Sequence, residues 1–409
     1  MARRAFRLMR RCDSGDVDAQ PAFDVFCAVR DADCHASCER DGQDGHGSRC
    51  TDTAHRSMAW NMNAAGPKRN DLHGKRAMKK ILLYEYLSGN GGADGCASPE
   101  LRLQGRAMRD AVARDLARAG DIALTCVADH DEAYDAMDAT LPIEWCTAPF
   151  AIAPTRFLAA EARRHDAVWV IAPETDGVLS ALCDAVDPER WIGCDAATLH
   201  IASSKRRTAR YLALAGIATP RAWSAQAPLE PARNASAWVV KPDDGAGAVD
   251  TRLFHDFRMA EYMFLRRAAG GERVTLEEWV GGDALSLSLL CSRGHAELLA
   301  INRQHISTGG GQITYEGLTA NIVVLSSEMA QTCRALAARV ARALPGLAGF
   351  VGIDLVWHPQ RGPVVIEVNP RVTCAYPALA DIVNSNIAAS VVAEHFGLGD
   401  TFRRRRHAA

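Results

Sequence analysis

Two apolar runs near the end of the chain, "GFVGIDLVW" at 349–357 and "VVIEVNPRV" at 364–372, are each interrupted by one carboxylate, Asp354 and Glu367. Only the short stretch "HPQRGP" at 358–363 separates them, so they are predicted to pair as a hairpin with Asp354 facing Glu367 and Asn369. Side chains alternate along a strand. Glu367, Asn369 and Arg371 therefore share one face, and Val364, Ile366 and Val368 pack on the other. An edge strand with a solvated polar face is the plainer reading of either run alone. Against it, carboxylates embedded in so much apolar sequence stay ionised only when something cationic offsets their burial. Magnesium suits such a place, because it takes hard oxygen ligands from one or two carboxylates together with a nucleotide's phosphates and water.

The rest of the chain sets the frame for this hairpin. With 409 residues there is room for two or three domains with substantial cores. A net charge of −2 supplies no field that would draw nucleic acid or an anionic membrane. No stretch approaches the roughly 20 apolar residues of a membrane span, and "MARRAFRLMRRC" at 1–12 has arginines without the apolar segment of a leader. The expectation is a cytoplasmic protein with no membrane and no nucleic-acid partner. Thirteen cysteines, an odd number at irregular spacing, fit reduced thiols better than a disulfide framework. Cys27, Cys34, Cys38 and Cys50, with His35 and His46 among them, lack the paired spacing of a zinc site.

Composition changes abruptly at Met78. Residues 1–77 show no sustained periodicity and are read as an extension, and "FRRRRHAA" at 402–409 as a solvated tail. From Ile81 the chain alternates strand and helix. Strands are expected at Ile81 to Tyr86, Ile122 to Val127 and Ala167 to Pro173, with a helix from about Leu101 to Ala119 between the first two. That alternation implies a parallel sheet with functional loops at its carboxyl edge, where Ser88, Gly89, Glu174, Thr175 and Asp176 are placed to face a ligand or simply to make tight turns.

"SSKRRTARYLALAGIATP" at 203–220 reads as a helix capped at Ser203 or Ser204, with Ala209, Leu212 and Leu214 on its apolar side. "AWVVKPDDGAG" at 237–247 gives a strand ending in Lys241 and a loop with Gly245 and Gly247, a lysine and backbone N–H groups suited to phosphate oxygens. Two acids in that loop are unusual beside phosphates. "VTLEEWVGGDALSLSLLC" at 274–291 is a strand, a bend at Gly281 and Gly282, and a second strand. "NRQHISTGGGQITYEG" at 302–317 reads as a mobile substrate-selecting segment. On it, Arg303 is a candidate carboxylate clamp and His305 is either a general base or a satisfied polar residue.

The order Lys205, Lys241 with its glycine loop, "EEWVGGD", Asp354 and "EVNPR" at 367–371 resembles the ATP-grasp superfamily over roughly residues 78–400. The resemblance implies an α/β plus α+β fold: an N-terminal α/β pre-ATP-grasp domain at 78–200, a small lid subdomain at 201–275 and a C-terminal subdomain with the metal site at 276–400. It also implies ATP and magnesium as cofactors, with manganese as an alternative. Lys205 and Lys241 would meet the phosphates, Glu278, Trp279 and the backbone near Val280 the adenine, and Asp283 the ribose. Asp354, Glu367 and Asn369 would hold one or two metal ions, and Arg371 the transferred phosphoryl group. Many relatives carry glutamate where Asp354 stands, which leaves the metal count open. "LLYEYLSGNG", "APETDGVL" and the helix at 203–220 further resemble the tyramine–L-glutamate ligases of methanofuran-type cofactor biosynthesis. This narrower match implies an acid and an amine as small-molecule substrates, joined with release of ADP and phosphate. Another ATP-grasp chemistry or a non-catalytic nucleotide binder is the alternative, and a homodimer is left open.

Overall fold

A computed structural model of the chain describes residues 78–91, 98–128, 140–223, 235–245, 247–383 and 385–398. The readings of residues 1–77, with their cysteines and histidines, and of the tail at 401–409 lie outside them. Three sheets follow one another along the chain.

The first sheet is parallel. Its strands are β1 (Lys79–Glu85), β2 (Ile122–Ala128), β3 (Ile143–Thr147), β4 (Ala167–Ile171) and β5 (Trp191–Ile192), in the order β3-β2-β1-β4-β5. Ile81 to Tyr84 are wholly buried, as befits a central strand covered on both faces. Helix α1 (Pro99–Ala117) joins β1 to β2. The Ser98 hydroxyl caps it by accepting the Leu101 N–H, and Pro99 occupies its first turn, where a missing N–H costs nothing. Strand β3 does not figure in the sequence reading, because this half-exposed edge strand lacks the apolar continuity of its neighbours. After α2 (Pro154–Ala162) the chain crosses to the other side of β1 to lay down β4. The carboxyl ends of β1 and β4 thus form the switch point at which parallel sheets open a crevice.

Helices α3 (Val178–Asp184), α4 (Ala196–Ala202) and α5 (Lys205–Leu214) lead to a second, antiparallel sheet. It comprises β6 (Ala222–Trp223), β7 (Trp238–Pro242), β8 (Arg252–Phe254) and β9 (Val274–Glu278), in the order β6-β9-β7-β8, with helix α6 (Phe257–Ala269) against it. The third sheet, also antiparallel, runs β12-β11-β10-β13-β14. Its strands are β10 (Asp283–Ser292), β11 (His295–Ser307), β12 (Thr314–Thr319), β13 (Gly349–His358) and β14 (Gly362–Asn369). Helix α7 (Glu328–Ala343) precedes β13, and α8 (Tyr376–Ile382) and α9 (Ile387–His395) follow β14.

Four details depart from the sequence reading. Leu214 is 81 % exposed and does not share the buried side of α5 with Leu212. The segment carrying Arg303 and His305 is a paired hairpin of β11 and β12, with a short turn at Gly309 to Gly311. In β14 the register slips between Asp354 and Leu355 of β13, whose partners are Glu367 and Val365, so Ile366 is an extra residue. This bulge buries Val364 and Val365 in succession and leaves Ile366 beside Glu367 on the open side, since an inserted residue reverses the alternation beyond it. Finally, β14 ends at Asn369. Pro370, which has no ladder N–H to give, turns the chain, and Arg371 stands beyond the strand.

Candidate active site

One cavity of about 620 Å³ lies among the three sheets. Lys205, Lys241, Gly245, Gly247, Glu278, Trp279, Val280, Asp283, Arg303, Asp354, Glu367, Asn369 and Arg371 all line it.

At its core is the β13–β14 pair. Asp354 and Glu367 are register partners, and the Asn369 amide donates to Asp354 Oδ2 at 3.1 Å. Burial, together with the adjoining Glu367 carboxylate, pushes Asp354 up to about 7. In Glu367 burial is outweighed by Lys205 and Lys241, which bring it down to about 2. Two carboxylates this close cannot both ionise freely without a cation. Among the described residues no group of three or more His, Cys, Asp or Glu could hold a metal. Two carboxylates and an amide oxygen do fit an ion that completes its shell with phosphate and water, as magnesium does.

Three of the cations that line it, Lys205, Lys241 and Arg371, are each held by an internal carboxylate. Lys205 opens α5, where the Ser204 hydroxyl caps the helix by accepting the Arg207 N–H at 3.1 Å. Its Nζ lies 2.8 Å from Glu367 Oε2 and also donates to the Gly245 carbonyl. Burial works against its charge, but Glu367 outweighs that and raises its pKa. Lys241, on β7, lies 2.5 Å from Glu277 Oε1 on β9. Val239 pairs with Glu277 and Lys241 with Thr275, so the two charged residues are diagonal neighbours on one face. Arg371 reaches back to the first sheet: its Nη2 donates to Glu174 Oε2 at 2.9 Å, its Nε lies 2.9 Å from Glu174 Oε1, and its Nη1 donates to the Val372 carbonyl. A planar fork fixed along one edge presents its remaining N–H groups in a set direction.

The two acids of the glycine loop, Asp243 and Asp244, do not line the cavity. Asp243 accepts from the Ser204 hydroxyl at 2.6 Å and from the Arg206 N–H at 2.9 Å, tying the loop to the start of α5. Asp244 accepts the Asp176 N–H at 3.0 Å and pairs with Arg273. Both acids serve to position the loop.

The segment between β9 and β10 closes another wall. The Trp279 N–H donates to the Ala237 carbonyl at 2.9 Å and Val280 is buried. Gly282 adopts φ +145°, and any Cβ there would collide with the Trp357 carbonyl, so only glycine makes this turn. The Glu278 carboxylate accepts from Arg361 at 2.9 Å. Arg303 is exposed on β11, while His305 Nε2 lies 2.8 Å from the Thr319 hydroxyl oxygen. Ser88, Gly89, Glu174, Thr175 and Asp176 do not line the cavity. Glu174 acts on it indirectly, through Arg371.

Comparison with known families gives a match to the ATP-grasp domain over residues 202–375 and to the pre ATP-grasp 3 domain over 122–199. Together the two stretches cover more than half of the chain, and they meet where the first sheet gives way to the other two. The chain belongs to the ATP-grasp superfamily. Solved structures agree with this ATP-grasp fold. An L-amino acid ligase from Bacillus licheniformis is 16% identical with a TM-score of 0.54, over 78% of this chain and 74% of that one. The biotin carboxylase domain of a 2-oxoglutarate carboxylase from Hydrogenobacter thermophilus, bound to MgADP and bicarbonate, is 14% identical with a TM-score of 0.55, over 78% and 70%. The D-alanine–D-alanine ligase of Bacillus anthracis, complexed with ATP, is 14% identical with a TM-score of 0.52, over 81% and 100%. No curated protein sequence matches significantly. No helix among the described residues is long and apolar enough to cross a membrane.

One residue of this ATP-grasp site, Glu277, is not singled out from sequence. It was within reach: of two adjacent strand glutamates only one can face the lysine. The partnership of Glu174 with Arg371 had no signal, because 197 residues separate them.

Proposed function

We propose that this protein is an ATP-dependent carboxylate–amine ligase that forms an amide through an acyl phosphate, with L-glutamate and tyramine or a related amine as its substrates. The observation that carries the reading is the convergence, in one cavity, of two lysines, a glycine loop, a buried acid pair with an amide, and an arginine fixed from a third direction. The superfamily and the two ligases among the similar structures support the reaction class. The substrates rest on the sequence resemblance. The subdomains proposed with it are 78–200, 201–275 and 276–400.

In this reading a carboxylate oxygen of the acid attacks the γ-phosphorus of ATP and ADP leaves. The amine nitrogen then attacks the acyl carbon, phosphate leaves, and the amine's proton passes to solvent. The chain positions and stabilises charge, and its side chains form no covalent bond. Lys241 and the N–H groups of the glycine loop face the phosphates, and Trp279 and Val280 enclose the base. Arg371, steadied by Glu174, directs its free N–H groups at the phosphoryl oxygens, where preorganised donors lower the barrier most. Asp354, Glu367 and Asn369 would hold magnesium, which neutralises phosphate charge when bound. Holding the reacting groups in line can supply about 7–11 kcal/mol of the barrier.

The test is phosphate release from MgATP with L-glutamate, with and without tyramine, followed by mass analysis. Release that needs both substrates and yields a conjugate lighter by one water supports the full reading. Release with other acid and amine pairs only removes the substrates and keeps the ligase. Phosphate retained on a product identifies a kinase, and ATP binding without any release identifies a regulatory binder.

A further inference from the structure

At the switch point of the first sheet, β1 ends in Glu85, a residue 1 % exposed that nonetheless lines the cavity. A buried carboxylate normally has a cation of its own. Glu85 has none at ion-pair distance among the described residues. Its Oε1 accepts the Leu87 N–H at 3.1 Å and its Oε2 the Ser88 N–H at 2.6 Å. The Arg109 guanidinium, whose charge acts on Glu85 without pairing with it, lies 2.9 Å from Asp110 Oδ1 and donates to the Ser88 hydroxyl at 3.0 Å. Each carboxylate oxygen accepts one backbone N–H, and the Ser88 hydroxyl donates to the carboxyl group as well. Burial holds this carboxyl above the ordinary range in spite of these donors and of the Arg109 charge, and no cation pairs with it directly.

The surroundings are shaped for a ligand. Leu101, Met108 and Ile171 give apolar walls at this end of the cavity. On α1, Gly105 faces the carboxyl group, and a Cβ there would stand 2.5 Å from Glu85 Oε1. Glycine there lets α1 pack directly against the carboxyl group. The end also abuts the reacting centre, because Gln104, next to Gly105 on α1, meets the Cys374 thiol at 3.4 Å, three residues beyond Arg371.

We infer that Glu85 anchors the primary ammonium group of a substrate, with the apolar wall of α1 receiving the carbon skeleton that bears it. This assignment deepens the ligase reading and rests on it for the identity of the ligand. The ammonium has two possible sources, the α-ammonium of an amino acid substrate or the amine substrate before it loses its proton. A hydrogen bond to a charged group in so dry a site is worth about a 10- to 100-fold change in affinity.

The experiment is calorimetric titration of the full chain with MgADP present, using L-glutamate, glutarate and tyramine as probes on the wild type and Glu85→Gln. Glutamine keeps the size of the side chain and one carbonyl acceptor for the turn. The expected result is that Glu85→Gln weakens L-glutamate or tyramine at least tenfold while glutarate and MgADP bind as before. Loss of L-glutamate, with its preference over glutarate levelled, assigns the α-ammonium; loss of tyramine assigns the amine. Unchanged affinity for both in the folded variant overturns the inference, as does a wild type that binds neither. Should Glu85→Gln fail to fold, Met108→Trp fills the same end from the opposite wall, and unchanged affinity for both ammonium probes in that variant overturns it equally. A wild type that binds an ammonium probe through Glu85 yet makes no amide from any pair removes the ligase reading and keeps the subsite.

Discussion

The second sheet and the rest of the described chain are built on different scales. Seven buried residues, among them Trp223, Trp238, Phe264 and Leu276, form the core of the second sheet. The first and third sheets share two much larger clusters, in one of which Leu82 and Leu158 pack with Leu287 and Val351. Helix α5 belongs with the larger part, since Leu212 and Ile217 lie in that cluster. The second sheet touches the other two largely through polar contacts such as Asp244 with the Asp176 N–H and Arg361 with Glu278. A unit with a private core and a polar boundary opens at a lower free energy than the body. The cavity places the proposed metal ligands on the larger part and Lys241 with the glycine loop on the smaller one.

The largest effect is expected in the body. Glu367→Gln should lower turnover by 10³ or more, an order expected for a group that acts only in the transition state, while circular dichroism reports an intact fold. Near-normal turnover would remove Glu367 from the metal set. Next, Phe264→Ala should cost about 3–5 kcal/mol, and hydrogen exchange should show the loss confined to the second sheet and α6. Exchange rising equally in β10 and β13 would show that the two cores open as one unit.

Lys241→Ala tests the same boundary chemically. It should cost about 10² in rate and expose the second sheet further, because Glu277 is left buried without its cation. The double variant Lys241→Met with Glu277→Gln should recover protection from exchange without recovering rate. Recovery of both would mean that the pair is structural.

The sequence made the two parts legible to different degrees. Asp354 facing Glu367 could be read directly, because acids inside two apolar runs joined by a short turn have few other arrangements. The bulge at Ile366 could not, since an inserted residue leaves no mark on composition. Glycines misled at 309–311: they turn a paired hairpin, and Arg303 and His305 ride on its strand. Helix α6 and the edge strand β3 were missed. The acids of "DDGAG" looked misplaced beside phosphates until the structure turned them toward α5 and Asp176. What escaped is what depends on long-range contact: Glu174 with Arg371, and Asp243 with α5.

Asp243→Ala joins the two parts in a smaller prediction. Loss of a cap of this kind costs about 0.5–2 kcal/mol, and because Lys205 begins the helix that Asp243 holds, the KM for ATP should rise several-fold with little change in kcat. A fall in kcat alone would show that Asp243 acts on the phosphoryl group directly.

The smallest effect belongs to His305. Its Nε2 lies within hydrogen-bond distance of the Thr319 hydroxyl across the β11–β12 pair, and its ring is exposed, so it behaves as a satisfied polar residue on the rim of the cavity. His305→Ala should change kcat less than threefold and leave the pH profile of the wild type in place. A general base would behave differently: its removal costs about 10²–10⁴ and abolishes the acidic limb of the kcat/KM profile. That outcome would give β11 a share in the chemistry and move the boundary of the catalytic part beyond the acid pair. A small effect leaves the amine's proton to solvent, as expected when positioning and charge do most of the work.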